Sequence, residues 1–144
     1  MHTTDGAQFQ HGVAVIAEPA VLGPERLRPA VAQLRARLES ALPKAHKATY
    51  GFYPEFNATD DPESGFSVYW APPRLQVSYW PLRNRVAVLV ETHSWKTHAE
   101  RVRSSRDVAQ GVLEAAAAHG AAWRKAAAAQ DAAARRGEPG EFGL

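Results

Sequence analysis

Cysteine is absent from the 144 residues. Its absence removes a disulfide framework, a Cys-ligated zinc finger and a thiol nucleophile together. Charge of one sign is also scarce: 17 Lys and Arg stand against 15 Asp and Glu, a net charge of +2. Even with a sequence pI of about 9.2, that surplus does not carry nucleic-acid binding by itself. No long apolar run is present. The Ala-rich segment from Val112 to Ala134 comes closest, and Glu114, His119, Arg124, Lys125, Gln130 and Asp131 interrupt it. It reads as a water-facing helix, so no membrane partner is expected. The first residues show no basic-then-apolar leader, so no signal peptide is expected. None of this assigns a compartment. A His-x-x-Glu pair is missing too: none of the six His residues has Glu three positions on, and His98 has Glu100 only two on.

What is present suits one globular domain. The hydrophobic share is 45% and the charged share 22%, close to ordinary globular usage. Residues 1–144 form one unit, with about 1–136 structured and a Gly/Pro tail over 137–144. Phe9 to Ala17 has strand character through Val13, Val15 and Ile16. Gly23-Pro24 opens a helix in which Leu27, Val31, Leu34, Leu38 and Ala41 recur at spacings of three and four, one apolar stripe, until Pro43 ends it. Lys44 to Gly65 reads as a long loop with Tyr50, Phe52, Tyr53 and Phe56 interleaved. Phe66 to Trp70 reads as a short strand and Leu75 to Trp80 as a further extended segment. Val86 to Val90 is a continuous apolar run, as in a strand buried on both faces of a parallel sheet. A helical region follows from about Thr97 to Arg136, with breaks possible at Ser104-Ser105 or Gly120. Strands alternating with helices predict an α/β layered domain.

Glu91 is the chemically telling position, a carboxylate at the end of a buried strand, where α/β enzymes place ligand-contacting groups. The plainer reading is a solvated strand end, or a Glu paired with Arg83, Arg85 or Arg101. Glu91, His93 and His98 are suitable zinc donors, but their spacing fits neither a helical pair nor one strand face throughout. His2, taken alone, is uninformative, and Asp5-Gly6 looks like a turn.

Two stretches together resemble the bacterial zinc carboxypeptidases of the carboxypeptidase A type. Leu82-Arg83-Asn84-Arg85-Val86-Ala87-Val88-Leu89-Val90-Glu91-Thr92-His93-Ser94 is similar to the family segment whose Glu is the catalytic base. His2-Thr3-Thr4-Asp5-Gly6-Ala7 is similar to the family's His-x-Thr-Asp-Gly-Ala stretch, whose His is the third zinc ligand. The resemblance spans nearly the whole chain but only about the C-terminal half of the family's domain. It implies a partial three-layer α/β/α sandwich with a mostly parallel mixed sheet. It also implies zinc as cofactor, His2 as a zinc ligand, Glu91 as the general base and Tyr79 as a substrate contact. The substrate would be a C-terminal peptide bond or a related amide. The family's other two ligands are a His and a Glu separated by two residues, which this sequence does not supply. The expectation is therefore a chain inactive by itself, completed by a separate N-terminal half.

Two other readings compete. A non-catalytic peptide-binding module would use the aromatic segment Tyr50 to Phe56. A nucleic-acid module would use Arg101, Arg103, Arg106, Arg124, Lys125, Arg135 and Arg136. Those bases are interspersed with acids and spread around the helix, so a solvated face is the better reading and no nucleic-acid partner is expected.

Overall fold

A computed structural model describes residues 2–4, 11–20, 23–46, 50–51, 54–68 and 71–138, with the backbone alone at 2, 4, 43–46, 50, 51, 54 and 68. Mixed α/β architecture is present, in line with the alternation of strand and helix patterns. The strands are β1 (His2–Thr4), β2 (Val13–Glu18), β3 (Tyr50–Gly51), β4 (Pro54–Ala58), β5 (Asp61–Val68) and β6 (Ala87–His93). The helices are α1 (Arg28–His46), α2 (Gln76–Leu82) and α3 (His98–Arg135), with a 3-10 turn over Glu25–Leu27 before α1.

Four strands form the main sheet in the order β1-β6-β2-β3. The central β2–β6 pair is antiparallel, while β1 runs parallel to β6 and β3 parallel to β2. The pairing is set by side-chain alternation. Val13, Val15 and Ala17 of β2 join Val90 of β6 in one buried cluster with Val31, Leu34, Leu38 and Leu42 of α1 and Val108 and Ala115 of α3. Successive strand residues point to opposite faces. The register Val15↔Val90 and Ala14↔Glu91 therefore puts Val90 toward the long helices and Glu91 away from them.

The α1 stripe forms as its spacing dictates, with Leu27, Val31, Leu34 and Leu38 buried and Leu42 rather than Ala41 completing it. The expected stop at Pro43 is not where the helix ends: α1 runs on to His46, because burial of Leu42 holds the last turn in place. The chain reaches α1 through Gly23, at φ +95°, where an added Cβ would lie 3.0 Å from Pro81 Cβ and 3.2 Å from Pro19 Cβ. Both the dihedral and the space require glycine there.

α3 is unbroken through Ser104-Ser105 and Gly120. Alanine-rich sequence has high helix propensity, and the inner face is pinned to α1. Gly111 lets the two helices approach so closely that an added Cβ would meet Leu38 Cδ2 at 2.8 Å. Trp123 Nε1 donates to Gln33 Oε1 at 2.9 Å, and Arg37 pairs with Glu114 across the same interface. The first turn is closed by a capping box. Thr97 Oγ1 accepts from the Glu100 N–H, and the Glu100 carboxylate accepts from the Thr97 N–H at 2.9 Å. Thr97→Ala is expected to cost about 1 kcal/mol of unfolding free energy, within the range of N-cap losses. Urea denaturation checks this, and an unchanged midpoint would remove the cap from the account.

Two further expectations are corrected. Leu75 to Trp80 is not extended; residues Gln76–Leu82 form α2. Val77 and Pro81, four apart on one helical face, are its buried residues, a pattern too short to separate from a strand by periodicity. Residues within Lys44 to Gly65 are not one loop either, since β4 and β5 form an antiparallel hairpin with Phe56 opposite Phe66. Asp60 at φ 60° turns the tip and Gly65 at φ +84° interrupts the alternation, so no period-two pattern marks the strands in the sequence. Helix α2 packs on β6 and β2 and, among the described residues, touches neither α1 nor α3. It lies on the Glu91 side of the sheet.

Candidate active site at the end of β6

β6 continues three residues beyond its apolar run. Glu91, Thr92 and His93 are consecutive polar residues with only 6, 2 and 2% of their surface exposed. Burial of polar side chains is costly unless they are compensated, so such a run marks a place where chemistry or hydrogen bonding outweighs packing. Two neighbours shape this end of the strand. On one side β1 lies parallel with His2↔Glu91, Thr3↔Thr92 and Thr4↔His93 in register. On the other, β2 places Val13 opposite Thr92 and Ala14 opposite Glu91.

The two faces differ in chemistry. Toward α3, the Thr3 and Thr92 hydroxyls lie 3.4 Å apart, and Arg101 Nη1 donates to Thr3 Oγ1 at 3.4 Å. On the opposite face, His93 shares the side of Glu91, two residues on. The His93 ring lies 5.6 Å from that of His11 and stacks on Trp95 at 5.4 Å. Lys96 Nζ stands 4.2 Å over the Trp95 ring, a cation–π geometry.

This face disfavours the protonated form of both imidazoles. Burial is the main cause for each; for His93 the neighbouring His11 and then Lys96 add to it, and for His11 Lys96 does. The folded-state values lie below the ordinary 6.5, so the unfolded chain takes up protons first as the pH falls. The stability this contributes is complete above about pH 6.5 and is lost as the pH drops through the folded values. The melting temperature is expected to hold from pH 8 to 7 and to decline toward pH 5.5, and the decline should flatten in a His11→Asn/His93→Asn variant. A wild-type stability maximum near pH 5.5 would contradict this.

The residues expected from the sequence are placed as follows. Glu91 is buried at the end of the central strand. His2 is its register neighbour on β1, brought there by the backbone pairing. Tyr79 lies on α2, on the same side of the sheet as Glu91, 45% exposed and edge-on to Trp80 at 5.3 Å. His98 is the exposed first residue of α3. Of the partners considered for Glu91, Arg85 instead bonds Asp131 through both guanidinium nitrogens, at 3.1 and 2.9 Å, and Asn84 Nδ2 donates to Asp131 at 2.9 Å. This tie fixes the turn before β6 to the far end of α3. It also holds the Asp131 carboxyl below its usual range, Arg85 being the first cause and Asn84 the second. Asp5 and Gly6 lie outside the described residues.

Among the described residues no three His, Cys, Asp or Glu side chains are grouped to hold a metal ion. Glu91, His93 and His98 are thus not grouped as a set of three donors among the described residues. Sequence reasoning missed the pairing of His11 with His93 and the Trp95–Lys96 rim. The alternation Glu91-x-His93 could have put His93 on the Glu91 face, had the strand been carried past Val90. His11 carried no local signal, since only the β2–β6 register brings it to this end of the sheet. No family model, curated protein or solved structure matches the chain, so its site has to be read from its own chemistry.

Proposed function

We propose that this chain is the C-terminal part of a zinc carboxypeptidase-like hydrolase, acting on C-terminal peptide bonds or related amides, and that it is inactive alone. The observation that carries the reading is the register of β1 on β6. The two stretches that resemble the family are far apart in the sequence, one at its start and one in its middle, and their key residues, His2 and Glu91, are adjacent strand positions. The sheet would then belong to a three-layer α/β/α sandwich whose mostly parallel remainder is supplied with the other half of the domain.

In this reading Glu91 is the general base. Its carboxylate accepts a proton from the attacking water and passes it to the departing amine, so the water oxygen joins the carbonyl carbon while the C–N bond breaks. Burial at the strand end keeps bulk water from competing for that proton. Tyr79 would contact the substrate from α2. His2 would be one ligand of a zinc ion, whose general role in such hydrolases is to polarise the scissile carbonyl. One ligand does not make a tetrahedral site, so the His-x-x-Glu pair has to come from another polypeptide segment.

Co-expression with the N-terminal half of a bacterial zinc carboxypeptidase domain tests the proposal. Release of C-terminal amino acids by the mixture, and by neither part alone, is the expected result. Absence of turnover in the mixture despite complex formation would favour a second reading, a non-catalytic peptide-binding module. The exposed Tyr79 and Trp80 on α2 are the feature that favours it, and it requires peptide binding without metal.

A further inference from the structure

The chain turns sharply where β6 ends. His93, Ser94, Trp95 and Lys96 form a tight turn in which the Lys96 N–H donates to the His93 carbonyl at 3.1 Å. The Trp95 ring lies close to parallel with the His93 imidazole, 22° between planes, at 5.4 Å. His93 is 2% exposed, whereas Trp95 keeps 38% of its surface in solvent. Lys96 Nζ in turn stands 4.2 Å over the Trp95 ring. Strand end, indole and ammonium therefore form one stack, with the buried His93 at its base.

A lysine side chain is flexible and its head strongly hydrated, so its position is not usually fixed. Here the indole π-face attracts the ammonium, and the backbone turn limits where its stem can start. The charge reaches the face of the sheet that carries Glu91. Both imidazoles there lie below their ordinary value, through burial first; His11 and then Lys96 add to this at His93, and Lys96 at His11. Glu91 and His93 share that face, about 7 Å apart along the strand. Glu100 also senses Lys96, but its carboxylate is used in the helix cap. The Thr97 N–H and hydroxyl donate to it at 2.9 and 2.7 Å and are the first cause of its low value, with Lys96 a lesser one.

We propose that the turn His93–Lys96 is an anion subsite beside Glu91, in which Lys96, held on Trp95, binds the carboxylate side chain of a substrate residue flanking the scissile bond. The substrate class is then an acidic peptide, with Glu or Asp next to the bond that is cut. A carboxylate is the anion that one ammonium suits, since phosphate recognition generally draws on several charged or forked donors. Such a side chain would be repelled by the Glu91 carboxylate unless a cation offset it, which is what Lys96 supplies. Lys96 touches the substrate; Trp95 is a positioning residue that acts through Lys96. The cutting rests on the hydrolase reading, while the binding does not.

NMR titration of the isolated chain tests the binding, with the amide resonances of residues 94–97 as readout. The probes are acetylated tripeptides of alanine with Glu at either of the last two positions, and their Gln analogues. A Glu peptide is expected to bind about tenfold more tightly than its Gln analogue, as for a hydrogen bond to a charged group. Lys96→Met should abolish that preference, and Lys96→Glu should turn it toward a Lys analogue. Trp95→Leu should weaken it, while Trp95→Phe, which keeps an aromatic face under the ammonium, should retain it. Equal affinity for Glu and Gln peptides would overturn the proposal, as would a preference unchanged in folded Lys96→Met. In the reconstituted enzyme the same preference should appear in kcat/KM. Turnover indifferent to Glu or Gln would overturn the subsite and leave the hydrolase reading in place. No turnover of any peptide, with the binding preference intact, would overturn the hydrolase reading and support the subsite alone.

Discussion

Glu91→Gln is expected to lower turnover of the reconstituted enzyme by about 10²–10⁴-fold, the usual contribution of a positioned general acid–base group, while leaving the complex assembled. Glutamine keeps the size of the side chain at a 6%-exposed position but removes its negative charge and its ability to carry a proton, exchanging one acceptor oxygen for a donor NH2. The loss should therefore appear in kcat with little change in KM, since an interaction used only in the transition state leaves ground-state binding alone. Thermal melting of the isolated chain supplies the control. Should melting fall steeply in Glu91→Gln, the carboxylate would be holding the strand end together, and the lost turnover would carry no mechanistic meaning. Retained turnover would remove Glu91 from the chemistry altogether.

The second large effect is on stability. Leu38→Ala should cost about 2–5 kcal/mol, the range for a buried leucine truncated in a close-packed core, out of a total that is about 5–15 kcal/mol for most domains. Leu38 is fully buried at the contact of α1 with Gly111 of α3, where relaxation is limited because α1 is also packed on β2 and α3 on β6 and β2. The opposite error at the same place is Gly111→Leu, which inserts atoms where even a Cβ would meet Leu38 Cδ2 at 2.8 Å, and overpacking of this kind costs about 1–3 kcal/mol or more. Urea unfolding monitored by circular dichroism measures both. A Leu38→Ala loss below about 1 kcal/mol, less than core truncations show, would mean that the α1–α3 contact does not anchor the fold.

How much was legible from the residues varies with the range of the signal. The stripe Leu27, Val31, Leu34, Leu38 and the run Val86 to Val90 are local patterns long enough to fix α1 and β6, and the alanine-rich stretch fixes α3. Helix α2 was not legible, because seven residues with Val77 and Pro81 as the buried pair offer less than two turns of pattern. The β4–β5 hairpin was hidden by its composition: Pro, Asp, Gly and Ser make a strand look like a loop, and Gly65 breaks its alternation. The site divides in the same way. Glu91 was marked by its place at the end of a buried run. The pairing of His2 with Glu91 joins positions far apart in the sequence and follows from no local pattern; the family resemblance implies a role for each residue but no strand pairing. The His11–His93 contact depends wholly on strand register and had no signal at all.

The central claim is that His2 and Glu91 belong to one site with different tasks, and zinc titration of the reconstituted complex tests it most directly. The account predicts one zinc per complex and none held by the isolated chain, with His2→Ala abolishing zinc binding and Glu91→Gln leaving it intact while turnover is lost. Stoichiometric zinc in the isolated chain, or undiminished zinc affinity in the complex with His2→Ala, would contradict it.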